Sequence, residues 1–430
     1  MFKDTEIGRI PKDWKLMKLS DVADVKGGKR VPKGHSLVDY KTPFPYIRVL
    51  DFKNMGVDIS NIQYLLPQTH KLIKQYVIYS NDVYISIAGT VGIAGLIPSG
   101  LNSANLTENA AKLCNLRNIT KEFLAYVLNS SIGQKQVSTF VGKAQQPKLA
   151  LFRIEKINLP LPPLLEQKKI AEILSTVDKA IEKVDENIEK TQTLKKGLMQ
   201  ELLTGRRNTV VPDPVGGRQG RREFKQTEIG RIPKEWEVVS LEDVVTKFIS
   251  GGIPSTKEPS YWNGEIPWIT SAYINGFYIS SGERHISKAG LENSATNIVP
   301  KDNILISTRV GIGKVAINLI DIAISQDLTG ALVKKGKAYP NFLCWSFLSP
   351  KVQNVLQSFV RGTTIKGIAR SELLRIRLSL PPLPEQKKIA EILSTVDKRL
   401  ELLRKKKEKF ERVKKGLMNE LLSGRKRVKV

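Results

Sequence analysis

EQKKIAEILSTVDK at residues 166–179 returns letter for letter at residues 385–398. A run of that length does not recur unchanged by chance, so the organisation of the chain is decided here. Downstream, KKGLMQELLTGR ending at Arg206 returns as KKGLMNELLSGR ending at Arg425, at the same offset of 219. Upstream, FKDTEIGRIP at residues 2–11 returns as FKQTEIGRIP at 224–233 with nine of ten residues kept, and Trp14 returns as Trp236. The 430-residue chain is one unit of roughly 205 residues written twice. Two or more hydrophobic cores follow from that length.

Each repeat changes character partway along. Before the Pro-rich stops LPLPP at 159–163 and LPPLP at 380–384, short β-branched runs alternate with Gly, Pro and Asn breaks. Residues 46–50, 82–87, 266–270 and 304–308 read as strands of a mixed α+β domain. After each stop the pattern runs helical without Gly or Pro as far as Gly197 and Gly416. Ile170, Leu174, Val177, Ile181, Val184 and Ile188 alternate steps of four and three, and Ile389, Leu393, Val396, Leu400 and Leu403 repeat them. That spacing is a coiled-coil seam. Further on, Ile188 and Thr191 correspond to Lys407 and Phe410, so the two seams are not self-identical and favour pairing with each other. Gly205 and Gly424 stand where helix C-terminal caps belong.

The expected layout is two similar recognition domains, at 1–160 and 224–379, separated by two long antiparallel helices, at 161–206 and 380–425, with pseudo-twofold symmetry. A Pro- and Gly-bearing linker at 207–223 joins the repeats, and a basic tail occupies 426–430.

Charge narrows the function. Lys plus Arg number 69 against 42 for Asp plus Glu, a net charge of +27 that asks for a polyanion, with nucleic acid ahead of membrane. Hydrophobic residues at 41% exclude a disordered basic tail as the whole protein. The longest apolar run, 83–97, is broken by Gly89, Gly92 and Gly95, so no membrane span or signal peptide is expected. The two cysteines, Cys114 and Cys344, read as buried small hydrophobes in a reducing cytoplasm. His35, His70 and His285 have no Cys or His at ligand spacing, so no metal is expected.

Catalytic signatures fail one by one. Gly311-Ile-Gly313-Lys314 lacks the leading Gly at Thr308 and carries Val315 in place of the magnesium-binding hydroxyl of a phosphate loop. Leu161-Pro-Pro-Leu164 and Leu380-Pro-Pro-Leu383 have neither the polar acceptor nor the aromatic platform of an amino-methyltransferase. Glu166-Gln-Lys168 and Glu385-Gln-Lys387 lack the upstream Asp of a nuclease, and their acids read as favouring the helix N-terminus through its dipole. A DNA reader, by contrast, needs cations for phosphates and polar groups for base edges. Lys26, Lys29, Arg30, Lys33, Arg48, Lys53 and Asn54 supply both in the first repeat. Thr270, Ser271, Tyr273, Asn275, Arg309, Lys314, Arg361, Thr363, Thr364 and Lys366 supply them in the second. A standalone or architectural DNA-binding protein fits these features too.

The order of variable domain, LPPLxEQ helix, second variable domain and second LPPLxEQ helix, with the motifs at 161–167 and 380–386, resembles the specificity subunit of type I restriction-modification enzymes. Val91-Gly92-Ile93 with Val310-Gly311-Ile312, and SANLT at 103–107 with SQDLT at 325–329, resemble recurrent patterns of that family's recognition domains. The resemblance implies a non-catalytic subunit on double-stranded DNA, each domain reading one half of a split, asymmetric target while the helices set the spacing. It implies two modification (methyltransferase) subunits and further restriction (translocase and nuclease) subunits as partners. AdoMet, ATP and Mg²⁺ then belong to those partners, with no cofactor in this chain.

If duplex DNA is the partner, neutralising even six phosphates gives a slope of about −5 in log K against log salt. Binding titrations across salt test this, and an affinity indifferent to salt would contradict it.

Overall fold

The computed structural model describes residues 1–101, 103–142, 147–207, 222–360 and 367–429. Most of the expected linker, and Arg361, Thr363, Thr364 and Lys366 of the candidate DNA set, therefore lie outside the described residues. The chain divides into two compact units, Met1–Glu186 with Arg404–Val430, and Asn187–Leu403. Each unit holds one globular segment, the beginning of the long helix that follows it, and the end of the other long helix.

In the first unit one sheet runs Ala94–Leu96, Val83–Ser86, Ala110–Cys114, Asp24–Gly27, and a second runs Gln63–Tyr64, Pro45–Ile47, Ser103–Leu106, Val77–Tyr79. Their centres are buried β-branched and aromatic residues such as Val83, Tyr84, Ile85 and Ile47. The strand expected at 46–50 stops at Ile47, because the Asp51 carboxylate accepts from the Arg48 amide at 2.7 Å and closes a 3₁₀ turn over Val49–Asp51. The second unit repeats both strand orders, with Tyr278–Ile279 added at one edge. Both units share one parallel pair, Pro45–Ile47 with Ser103–Leu106 and Trp262–Ile269 with Ile322–Ile324, and the added strand Tyr278–Ile279 of the second unit also runs parallel to its neighbour Val315–Asn318.

The long helices span Leu164–Leu202 and Leu383–Leu421. They begin three residues later than the expected 161 and 380, because Leu161 and Leu380 still pair as strand residues with Lys15 and Glu237. That pairing brings Trp14 and Trp236, both fully buried, against the helix starts. Glu166 accepts from the Trp14 indole at 3.1 Å and from Arg427 at 2.7 and 2.9 Å, and Arg427 also holds Asp13. Glu385 accepts from the Trp236 indole at 2.9 Å and from Arg222 at 2.8 and 2.7 Å. Next in line, Gln167 accepts from the Thr120 amide and donates to the Asn118 and Pro162 carbonyls. Gln386 does the same with the Tyr339 amide and the Lys337 and Pro381 carbonyls. The dipole reading of these acids is thus too weak. They sit in the first helical turn, but their partners are a buried indole and a guanidinium fork, which fasten the helix to its domain.

Helix pairing within each unit is antiparallel. In the first, Asp178 meets Lys414 at 2.6 Å, and one heptad further along the first helix and one heptad back along the second, Asp185 meets Lys407 at 2.7 Å. Tyr126 donates to the same Asp178 at 2.7 Å. In the second unit the repeat equivalent of the first of these pairs returns: Asp397 pairs with Lys195, whose ammonium lies 4.8 Å from the Trp345 ring. The expected seam residues turn inward, with Ile170, Leu174, Val184, Ile389, Leu393 and Leu400 buried and Val177, Ile181, Ile188, Val396, Leu403 and Phe410 half-buried. Gly205 and Gly424 end the helices at φ +68° and +69°. A Cβ at either would also strike Pro233 or Pro11, so the helix ends require glycine for backbone and for space alike.

Arg222 is 10% exposed and Arg427 45%, while the two carboxylates are equally buried, so water reaches and can replace the second fork more readily than the first. Arg222→Ala is expected to cost about 3 kcal/mol and Arg427→Ala about 1 kcal/mol. Denaturant unfolding of the full chain reads both, and a larger loss for Arg427→Ala would contradict the account.

Candidate nucleic-acid interface

In the first unit the ends of several strands meet. Lys29, just past Asp24–Gly27, donates its amide to the Leu106 carbonyl at 2.8 Å, and the Thr107 amide donates to Ile47 at 3.0 Å. The Ile87 amide donates to Asn109 at 2.8 Å. The loops that follow Gly27, Ile47, Ser86 and Leu106 therefore lie together. Gly28 permits this, since a Cβ there would stand 2.0 Å from the Thr107 carbonyl oxygen. Of the predicted residues, Lys29 and Arg30 belong to this set and Lys26 lies one step back on the edge strand, all exposed. Lys33 follows in the same loop.

Arg30 is partly covered by Glu108, 2.6 Å away. Burial pushes the Glu108 carboxyl up, but hydrogen bonds from Arg30, its own backbone and Thr107 outweigh this and hold it below the usual range. Arg48 adjoins the cluster, yet its guanidinium is engaged by Asp51, by Gln63 and by the Asn61 carbonyl. Lys53 and Asn54 lie elsewhere. Their hairpin crosses to Leu96, beside the start of Val83–Ser86 rather than its end, and Lys53 pairs with Asp58 at 3.0 Å. Asn54 lines a cleft of about 460 Å³ together with Asn129, Asp178 and Lys414.

The second unit assembles the same loop set. The Gly252 amide donates to Ile324 at 3.0 Å, Ser325 to Ile269 at 2.9 Å, and Thr308 to Asp327 at 2.9 Å. Thr270 is held by Glu283 through its amide and hydroxyl at 3.0 and 2.7 Å. Ser271 is buried and its hydroxyl has no partner among the described residues, while its carbonyl accepts from Lys314 at 3.5 Å. Tyr273 shares a hydrogen bond with Ser281, and Asn275 and Arg309 are exposed. Thr270, Ser271, Lys314 and Arg309 are thus brought to one end of the domain. Sequence reasoning did not find Gln63, Glu108, Glu283 and Arg284. They enter through strand pairing and loop closure across long stretches of chain, which local composition does not record.

The look-alike segments do not occupy equivalent places in the two domains. Val91-Gly92-Ile93 is not the structural partner of Val310-Gly311-Ile312. Gln134 donates to the Gly92 carbonyl at 2.8 Å and its repeat mate Gln353 to that of Gly313 at 2.9 Å, so Gly92 matches Gly313. Likewise Thr107 matches Ser325, each donating its amide to the last residue of the parallel strand, so 103–107 and 325–329 are out of register. Strand geometry, not letter identity, sets the correspondence. Among the described residues no cluster could hold a metal ion, and no helix is long and apolar enough to cross a membrane.

A duplicated α+β domain, each copy fastened to a long antiparallel helix and each gathering polar and basic loops at its strand ends, defines a two-headed recognition protein. The family model for the type I restriction modification DNA specificity domain matches residues 11–190 and again 233–412, and the chain belongs to that family. It is a DNA-specificity subunit, the recognition component of a type I restriction-modification system rather than a catalytic one. The MjaX type I restriction enzyme specificity subunit of Methanocaldococcus jannaschii is 30% identical over all of this chain and 97% of its own length. The MjaVIII specificity subunit of the same organism is 27% identical over 100% and 96%. Among solved structures, the S subunit from M. genitalium shares the fold at a TM-score of 0.62 and 14% identity, covering 96% of both chains. A chain from a type I R-M system solved for its complex assembly shares it at 0.53 and 16%, covering 96% and 98%.

Arg30 is expected to reach phosphate once Glu108 is gone. Glu108→Gln should raise affinity for any duplex and steepen the log K against log salt slope by about one. The ion pair holds at and above the ordinary carboxylate range and is lost only as pH falls through the depressed value. Titrations of the wild type near neutral pH should therefore show no pH dependence from this pair. An unchanged slope in the variant would place Arg30 outside the interface.

Proposed function

We propose that the domains, bounded at 1–160 and 224–379, read unlike halves of a split duplex target. The helices, Leu164–Leu202 and Leu383–Leu421, fix the separation of the halves and dock two modification subunits. The observation that carries this is a common frame with different loops. Where the first domain presents Lys29, Arg30, Arg48 and Glu108, the second presents Gly252, Ile253, Thr270 and Gln326, on matching strand ends. Equal frames with unequal reading groups recognise unequal sequences.

Docking is supported by the exposed face of the helices. Lys168, Lys169, Glu172 and Lys179 return as Lys387, Lys388, Glu391 and Lys398, all exposed, where packing makes no demand on identity. One surface presented twice suits two copies of one partner. In this reading the modification subunits bring AdoMet, restriction subunits bring ATP and Mg²⁺, and the assembly works in the cytoplasm on double-stranded DNA.

Inserting one heptad into each long helix keeps the seam in phase and lengthens each by about 10 Å. The preferred target, mapped by methylation in the assembled complex, should keep both half-sites and widen its spacer by about three base pairs. An unchanged spacer would show that the helices do not set it.

A further inference from the structure

Beside the second domain's loop set, one arginine is held in a way that packing and charge balance leave unexplained. Arg284 lies on the edge strand Arg284–Ile286, directly across from Trp268, the residue before the end of Trp262–Ile269. Its guanidinium carbon sits 3.6 Å from the centre of the Trp262 ring. Trp262 is itself fixed. It is buried, donates to the Ser255 carbonyl at 3.0 Å, and meets Trp268 edge-on at 5.5 Å. Trp268 in turn donates to the Gly252 carbonyl at 3.1 Å, inside the strand-end cluster. The adjacent carboxylate, Glu283, is engaged by Thr270, and among the described residues Arg284 has no ion pair.

A guanidinium stacked on a rigid indole has one face covered and its plane set, while its N–H donors at the edge remain open to solvent. A phosphate needs only a positive charge, which a mobile lysine supplies. A planar fork held in one orientation suits a planar pair of acceptors, and in duplex DNA the O6 and N7 of guanine in the major groove are such a pair. The matching position in the first domain is Gln63, across from Tyr46, and it is held between Arg48 and Asp39. The two domains thus place different hydrogen-bonding groups at one register position.

We propose that Arg284 is a base-reading residue of the second domain and takes a guanine of its half-site through O6 and N7. This rests on the reading that each domain binds duplex DNA with its strand-end loops. The test is sequencing of methylated sites made by the full chain assembled with its modification subunits, for wild type, Arg284→Ala and Arg284→Lys. Wild type should give a discrete target, and both variants should lose selectivity roughly tenfold to a hundredfold at a single G·C position in one block. Every other position should be unchanged. A wild-type complex with no discrete target would sink the DNA reading itself. With a discrete wild-type target, three results would overturn the role of Arg284 alone. They are unchanged selectivity in both variants, equal weakening at every position, and loss of all methylation in both variants.

Discussion

Each domain's position on its helix depends on a buried carboxylate. Glu166 and Glu385 lie in the first helical turn, almost fully buried, and each is hydrogen-bonded by an indole and an arginine fork from its own unit. A charge in such a place is tolerable only with those partners, so the tryptophan, the arginine and the helix start must arrive together. The neighbouring glutamines then satisfy three backbone groups each, which fixes the helix rotation as well as its origin. A helix that leaves its domain at a set angle and phase can present one seam and one outer face consistently.

The same lock is closed from different places in the chain. In the second unit the arginine is Arg222, just before the strand Phe224–Thr227. In the first it is Arg427, just past the capping Gly424. Each unit completes its helix pair with the end of the other repeat's helix, and the ion pairs Asp178–Lys414 and Asp397–Lys195 are repeat equivalents of each other. Duplication thus yields two units of one construction whose strand-end loops are free to differ, which is the property a bipartite reader needs.

Much of this was legible in the sequence. Periodicity exposed the seam from Ile170 and from Ile389, and Gly205 and Gly424 marked the helix ends, because these features are local. The identical Glu-Gln pairs were visible but their partners were not, since Trp14 and Arg427 reach Glu166 from opposite ends of the chain. Shared letters do not by themselves mark equivalent places, since hairpin geometry aligns Gly92 with Gly313. Basic and polar residues pointed to the loop cluster but also to Lys53 and Asn54, which fold away from it. Gln63 and Arg284 carry no local signal. They come beside the strand-end loops because of strand pairings that close over intervening loops.

If one chain carries two unlike readers on one frame, the assembled complex must recognise two unlike half-sites. The most direct test is the target of that complex, determined from the methylated sites across a genome of known sequence. The account predicts two dissimilar blocks of specified bases separated by a fixed run of unspecified ones. A single contiguous block, or methylation without sequence preference, would contradict it.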